Sequence, residues 1–599
     1  MNYFLGKKRA TEEALSKAVS IATTTAIAAA LMLAGCHTPT SMEQAEKNLE
    51  IAGPNERQFH SVLYFPKGEA LHYPGYLVAI EKSPQDIIGG PKVKPNTVED
   101  PKGDHPLVYA DATYIQHETK TFLIDNTPTL IKHFQTRDRK ALFISHIVRY
   151  GIDTPEEGRA NQMVYQCFIY NAYKARGVAK DGLTDVDYLR QFNWKDCVDE
   201  ETSPGSLPVS FPAREIGTLY ADGLNALKPL ETQLTRDVKA NGYTHILVIV
   251  MGWNTSQDEA IRNFNDIAGN IVDAAYEEKL IKDGKKGDTG KKDISRKPVS
   301  SPFRPLVVGV TWPSFWTSGV ANFFSYPNKA DDADELGLSW LNVLLYRTLP
   351  CVLKSTAGAN GKITLRTVLI GHSFGARAAT RALFSSPVLE QDSTENGKPP
   401  ASVVDLAVGL QGAVSINRFV PSTSEEGAPY RNFANLTGTR VVLTASDKDQ
   451  ATAWPSWYPA AGSIHSYRKA CDGSNTEYAN VFSCWTARDI SGSDASNEPE
   501  HKSKLYRPSR LCPGGITDCT ISEDEEAKLA ENKVMYIDTS AGITEFNTPG
   551  SGGGAHSDIY RLPMGRLLWH LIHVHAPTGE HTPRSPLKCG TSDIAADVG

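Results

Sequence analysis

TVLIGHSFGARAATRALF, residues 367–384, decides how this chain is read. Thr367–Ile370 is a short apolar run of the buried-strand type. From Phe374 to about Ser385, small and apolar residues predict a helix. Between them stands Gly371-His372-Ser373-Phe374-Gly375, a G-x-S-x-G in a strand-to-helix turn. Such a turn holds its serine in a strained backbone conformation, with the side chain at the sheet edge. Gly371 and Gly375, two before and two after, pass close to neighbouring backbone and must be small. Ala376, Ala378 and Ala379 let the helix lie near the sheet. The helix N-terminus directs positive partial charge at the turn. Ser373 is therefore a candidate nucleophile, and His372 is expected to point away from it.

Working outward, the same unit recurs. Thr244–Val250 (THILVIV) is a buried-strand run ending in Met251-Gly252-Trp253-Asn254. Ser256 and Glu259 form a capping box. Ile261, Phe264, Ile267, Ala268, Ile271 and Ala275 then keep helical spacing. Leu306–Val310 is a second strand, ending Thr311-Trp312-Pro313-Ser314, and Leu336, Trp340, Leu341, Leu344 and Leu345 mark a helix after it. Val403–Leu410, Arg440–Ala445 and Val534–Ile537 continue the series, and a last helix covers about Pro563 to Ile572. A helix is also expected from Ile216 to about Lys239. Strands alternating with helices imply an α/β fold with a mostly parallel sheet and helices on both faces.

A serine hydroxyl needs a base, and the base an orienting carboxylate. With a G-x-S-x-G elbow the chain order is Ser, acid, His. The strand ending at Leu410 leads into Gln411-Gly412-Ala413, which has no carboxylate. The next ends Ser446-Asp447-Lys448-Asp449. Asp449 is the preferred acid because it lies deeper in the turn, and Asp447 is the alternative. His556 ends a glycine-rich loop before the last helix and is the candidate base. His570, His573 and His575 are expected to ride that helix and its exit, with no acidic or cysteine ligand beside them. An oxyanion hole needs two backbone N–H groups. Phe374 and Trp253 are the candidate donors.

The ordered set MGWN, TWPS, GHSFGA, SDKDQA and AHSDIY resembles the alpha/beta-hydrolase superfamily, and within it poorly characterised bacterial hydrolases with HGxN and WPS turns. The resemblance spans about Ile216 to His575. It implies Ser373 as nucleophile, Asp449 as acid, His556 as base and an oxyanion role for the Gly252–Trp253 turn. Met251 stands where the family has histidine. The implied activity is cleavage of a carboxylic ester, in a small-molecule or lipid substrate, through an acyl-enzyme, with no metal or organic cofactor. Peptidase or amidase chemistry on the same triad is one alternative. A non-catalytic envelope lipoprotein on a hydrolase fold is the other.

The chain ends set the context. Lys7, Lys8, Arg9 and Lys17 precede an apolar, small-residue stretch from Ala18 to Leu33, which reads as a secretory signal. Leu33-Ala34-Gly35-Cys36 resembles a bacterial lipobox. It implies a signal peptide over 1–35, lipidation of Cys36 and, with His37 following, an outer-membrane lipoprotein facing the periplasm or exterior. Residues 36–58 read as a tether, 59–212 as an N-terminal accessory region, 213–577 as the hydrolase domain and 578–599 as a tail. Within 59–212, Gly75–Ile80 and Ala141–Val148 suggest strands, and Met163–Ala172 a strand or a helix. An insertion at 452–533, with four cysteines and three tryptophans, is either a lid over the site or a stabilising surface excursion. Nine cysteines less Cys36 leave an even set, which suggests disulfides in an exported protein; Cys471/Cys484 and Cys512/Cys519 are spaced for local bridges. A formal net charge of −7 over 599 residues gives no basic excess for a nucleic-acid partner.

Overall fold

The computed structural model describes residues 71–82, 142–153, 163–171, 195–197, 216–253, 255, 257–282, 303–314, 326–384, 402–420, 439–453, 458–488, 504–508, 512, 518–529, 531, 533–545, 554–583 and 587. The signal segment 1–35, Cys36, the tether, Asn254, Ser256, Trp454, Trp457 and Cys589 lie outside them.

The fold is α/β. Its strands are β1 (Gly75–Lys82), β2 (Leu142–Asp153), β3 (Met163–Asn171), β4 (Lys195–Asp196), β5 (His245–Val250), β6 (Pro305–Thr311), β7 (Arg366–His372), β8 (Leu406–Leu410), β9 (Arg440–Ala445), β10 (Phe482–Arg488), β11 (Lys504–Pro508), β12 (Asp518–Thr520) and β13 (Val534–Asp538). Among the described residues they form one sheet of thirteen strands in the order β12-β11-β10-β13-β9-β8-β7-β5-β6-β1-β2-β3-β4. From β10 to β1 every neighbouring pair is parallel, and antiparallel pairings begin outside that block.

The helices are α1 (Ile216–Asn241), α2 (Gln257–Lys282), α3 (Tyr326–Leu338), α4 (Trp340–Val343), α5 (Leu349–Ser355), α6 (Phe374–Phe384), α7 (Ile464–Cys471), α8 (Thr476–Val481), α9 (Glu523–Leu529) and α10 (Leu562–His575). A π-helical turn, Leu344–Thr348, joins α4 to α5. Strand side chains alternate between faces, so a strand covered on both sides reads as continuously apolar. In β5, Ile246, Val248 and Val250 enter one core, with Leu227 and Leu234 of α1, Leu336 of α3 and Ala378 of α6. Leu247 and Ile249 enter the other, with Ile261 and Phe264 of α2 and Leu567 and Leu571 of α10.

Two segments join the sheet rather than standing apart from it. Part of the expected accessory region supplies β1–β4, and β1 runs parallel to β6. The described part of 452–533 extends the opposite end, where β10 pairs in parallel with β13 and β11 and β12 follow antiparallel. β1 and β2 lie where Gly75–Ile80 and Ala141–Val148 suggest strands, whereas β10–β12 hide in sequence because polar residues interrupt them. In β10, Phe482 and Cys484 face one core and Trp485 and Ala487 the other, with serine and threonine between. Cys471–Cys484 ties α7 to β10, and Cys512–Cys519 and Cys167–Cys197 close two further bridges. Cys351 is buried in α5.

Helix α6 is clamped from behind. Asp334 of α3 is fully buried and accepts from Arg377 Nη2 at 2.6 Å, Arg418 Nη1 at 3.1 Å and Arg381 Nε at 3.4 Å. Burial alone would raise this carboxyl; the three guanidiniums outweigh it and hold it far below the usual carboxylate range. A Cβ at Gly337 would meet Ala378 O at 2.6 Å, so α3 and α6 touch almost backbone to backbone. The start of α6, next to Ser373, is thereby fixed.

Candidate active site

Ser373 has φ +54°, in the left-handed region that non-glycine residues avoid. The turn that imposes it is as tight as its glycines suggest. A Cβ on Gly371 would stand 2.5 Å from Gly375 O, and one on Gly375 2.1 Å from Val250 O. Neither position has room for any side chain. The turn is tied down by Ser373 N donating to Leu410 O at 3.0 Å, and by Ser373 O accepting from Ala376 N at 3.1 Å and Ala413 N at 3.0 Å.

The turn after β5 reaches the elbow from the other side. A Cβ on Gly252 would meet Ser373 Cβ at 2.6 Å and lie 3.3 Å from its Oγ, so only glycine lets this backbone run past the serine. Trp253 and Phe374 bring their rings to 6.3 Å. Phe374 opens α6, where the first N–H groups have no intrahelical acceptor. The Trp-Pro-Ser turn after β6 braces the Met-Gly-Trp turn. Trp312 Nε1 donates to Met251 O at 2.7 Å, and Ser314 Oγ donates to Thr255 O at 3.0 Å. The buried ammonium of Lys329 holds Pro313 O at 2.6 Å.

Asp449 and His556, 107 residues apart, meet directly: His556 Nδ1 donates to Asp449 Oδ2 at 2.9 Å. Their backbones are joined as well. Asp449 and Gly554 form an antiparallel bridge, and Ala555 N donates to Lys448 O at 2.9 Å. The carboxylate fixes the tautomer. With the proton on Nδ1, Nε2 keeps its lone pair. Asp449 is buried, and its other oxygen accepts from Thr452 N at 3.0 Å. Asp447 is placed elsewhere. Its carboxylate meets Lys448 Nζ at 3.2 Å on the surface, and its N–H donates to Ser540 Oγ. Of the two aspartates, only Asp449 bonds to the histidine.

Three further residues support the pair. His372 lies under His556, ring centroids 4.7 Å apart, and its Nε2 donates to His556 O at 3.1 Å. Burial, then the neighbouring His556, push His372 well below the usual imidazole range, so it is neutral with its one proton on Nε2. Its Nδ1 accepts from Tyr560 Oη at 3.3 Å, and burial pushes that phenol far up, which keeps it a donor. Gln411 Nε2 donates to Asp449 Oδ2 at 3.3 Å.

One expectation is corrected. His570 and His575 do ride α10, but an acidic partner accompanies them. Glu526 of α9 accepts from His570 Nε2 at 2.9 Å and approaches His575 Nε2 to 3.2 Å, the latter without hydrogen-bond alignment. Glu526 belongs to an acidic run, Glu523–Glu526, that reads as a solvated helix start and gives no hint of a buried partner. No group of three or more His, Cys, Asp or Glu among the described residues is arranged to hold a metal ion. Comparison with family models, curated proteins and solved structures returns no match.

Proposed function

We propose that this protein is a serine hydrolase of the alpha/beta-hydrolase type that cleaves carboxylic esters. The observation that carries the reading is the hydrogen-bonded Asp449–His556 pair, its histidine ring 4.7 Å from that of His372, the residue that precedes the strained, non-glycine Ser373. Strain of this kind persists where surrounding structure holds it, and it gathers at reactive positions.

The chemistry runs as follows. His556 Nε2 takes the Ser373 hydroxyl proton as Oγ attacks the acyl carbon. The carbonyl oxygen becomes an oxyanion held by the backbone N–H groups of Phe374 and Trp253. Each such donor contributes on the order of 3 kcal/mol to transition-state stabilisation. The imidazolium returns its proton to the leaving alcohol, and an acyl-serine remains. Water, deprotonated by His556, then releases the acid and restores Ser373. Asp449 keeps Nδ1 protonated throughout and stabilises the imidazolium. Met251, in place of the family's histidine, leaves this scheme intact, because the turn contributes a backbone donor. An envelope location with a lipid on Cys36 completes the proposal, and three disulfides fit an oxidising compartment.

A fluorophosphonate probe tests it. The wild-type protein should be labelled on Ser373, and Ser373→Ala should lose the label. Undiminished labelling of Ser373→Ala overturns the assignment. Turnover of peptide amides without turnover of p-nitrophenyl esters transfers the same triad to a peptidase or amidase.

A further inference from the structure

Among the described residues, two that are not glycine have positive φ: Ser373 at +54° and Gln411 at +46°. They directly follow adjacent parallel strands, β7 and β8, and their turns are bonded to each other. Ser373 N donates to Leu410 O, and Ala413 N donates to Ser373 O, both at 3.0 Å. Glycine adopts this conformation without strain, yet a fully buried glutamine occupies it. The main chain alone gives no reason for a side chain here.

The side chain does. Gln411 N donates to Thr444 Oγ1 at 3.0 Å, so the threonine's own proton is directed to Gln411 Oε1, 2.8 Å away. With Oε1 committed as acceptor, the amide NH₂ faces Asp449 Oδ2 at 3.3 Å. A carboxylate only accepts, so the amide orientation is set from both ends. Oδ2 is the same oxygen that receives His556 Nδ1. Gly462 closes over the turn, where a Cβ would meet the Gln411 carbonyl carbon at 2.7 Å.

We infer that Gln411 is a positioning residue for the acid of the triad. Its strained turn aims an oriented amide at the Asp449 oxygen that holds His556. The inference rests on the serine-hydrolase reading. Gln411 touches neither substrate nor the reacting atoms and acts through Asp449. It fixes which carboxylate oxygen faces the imidazole, and it withdraws part of that oxygen's charge.

Two variants separate this role from a purely structural one. Gln411→Met keeps length and backbone strain but removes both side-chain hydrogen bonds. Gln411→Gly removes the bonds and relieves the strain. With p-nitrophenyl acetate, kcat of both should fall about tenfold to a hundredfold, the rate equivalent of one hydrogen bond to a charged group, while KM changes little. The acid limb of the kcat/KM–pH profile should move to higher pH in both, because a carboxylate with one donor fewer attracts the imidazolium more strongly. The thermal midpoint of Gln411→Gly should be no lower than that of Gln411→Met. Recovery of wild-type kcat in Gln411→Gly, or an unshifted profile in both variants, overturns the positioning role. If the wild-type protein takes a fluorophosphonate on Ser373 and turns over the ester while both variants match it, only Gln411 loses its role. If wild-type protein does neither, the serine-hydrolase reading falls and this inference with it.

Discussion

Two carboxylate–histidine contacts in this molecule look alike by distance and by exposure. Asp449–His556 spans 2.9 Å with a histidine side chain 14% exposed. Glu526–His570 spans 2.9 Å with one 15% exposed. They differ in which nitrogen is engaged and in what holds the carboxylate. Asp449 takes Nδ1 and leaves Nε2 available, whereas Glu526 takes Nε2 of His570 and faces Nε2 of His575. Asp449 also receives the Gln411 amide and the Thr452 N–H, and its backbone is bridged to the loop carrying His556. Glu526 is held by the packing of α9 on α10. A histidine bonded through Nδ1 keeps Nε2 for a reacting group and can transfer a proton there. One bonded through Nε2 between two helices is arranged for cohesion. Distance alone does not separate the two uses; atom identity and the surrounding backbone do.

The sharpest way to break that contrast is to remove the charge from each carboxylate in turn. Asp449→Asn should lower kcat by about four orders of magnitude, as expected where the orienting carboxylate of such a triad becomes an amide and the imidazole tautomer is lost. Its thermal midpoint should move far less than its rate. Steady-state ester hydrolysis beside a thermal melt measures both. An Asp449→Asn protein with near wild-type turnover would place the two pairs in one class.

The reciprocal change is Glu526→Gln. It leaves two buried imidazoles short of a charged acceptor, at a cost of about 1–3 kcal/mol. Ester turnover should stay within about twofold of wild type, since nothing in α9 reaches the elbow. A urea titration reads the first quantity and kcat the second. Equal stability with depressed turnover would reverse the assignment of roles.

The sequence reveals one of these pairs far better than the other, and the reason is steric. Close backbone approach forces small residues at fixed offsets, and 2.1–2.6 Å clashes at Gly375, Gly371 and Gly252 write the elbow and its facing turn into the chain. Loop order then points to Asp449 and His556, although it leaves Asp447 open until the bond is seen. Gln411 escapes because glutamine has no distinctive chemistry and Thr444, which orients it, is 33 residues away on the neighbouring strand. Glu526 escapes because three acidic neighbours disguise it and His570 lies 44 residues on. The parallel core is legible as runs such as HILVIV. Outside it, Gly75–Ile80 and most of Ala141–Val148 are legible as β1 and β2, but β10–β12 are not, because short, polar-interrupted segments such as FSCWTAR belong to a sheet only once their neighbours are in place.

The finest distinction between the pairs is how the stability that Glu526 provides depends on pH. Burial would raise the Glu526 carboxyl, but the His570 hydrogen bond and the close approach of His570 and His575 outweigh it and bring it down to about 2. Burial would lower His570, but the Glu526 hydrogen bond and charge, with Glu523 and Glu278 nearby, carry it above the usual imidazole value. A depressed carboxyl contributes stability above its ordinary value and loses it as pH falls through the folded value. A raised imidazole contributes below its ordinary value and loses it as pH rises through the folded one. His575 is lowered by burial, with Arg440 and His570 adding to that, so by itself it works in the opposite sense. The quantity to follow is therefore the stability gap between wild type and Glu526→Gln, in which the groups common to both proteins largely cancel. That gap should be widest between about pH 4.5 and pH 6.5, the ordinary values of the two groups, and should narrow on either side. Urea titrations of both proteins at about pH 3, pH 5.5 and pH 8 measure it. A gap constant across all three would mean that Glu526 acts by packing alone. It would then share with Asp449 a similar distance and nothing of its electrostatics.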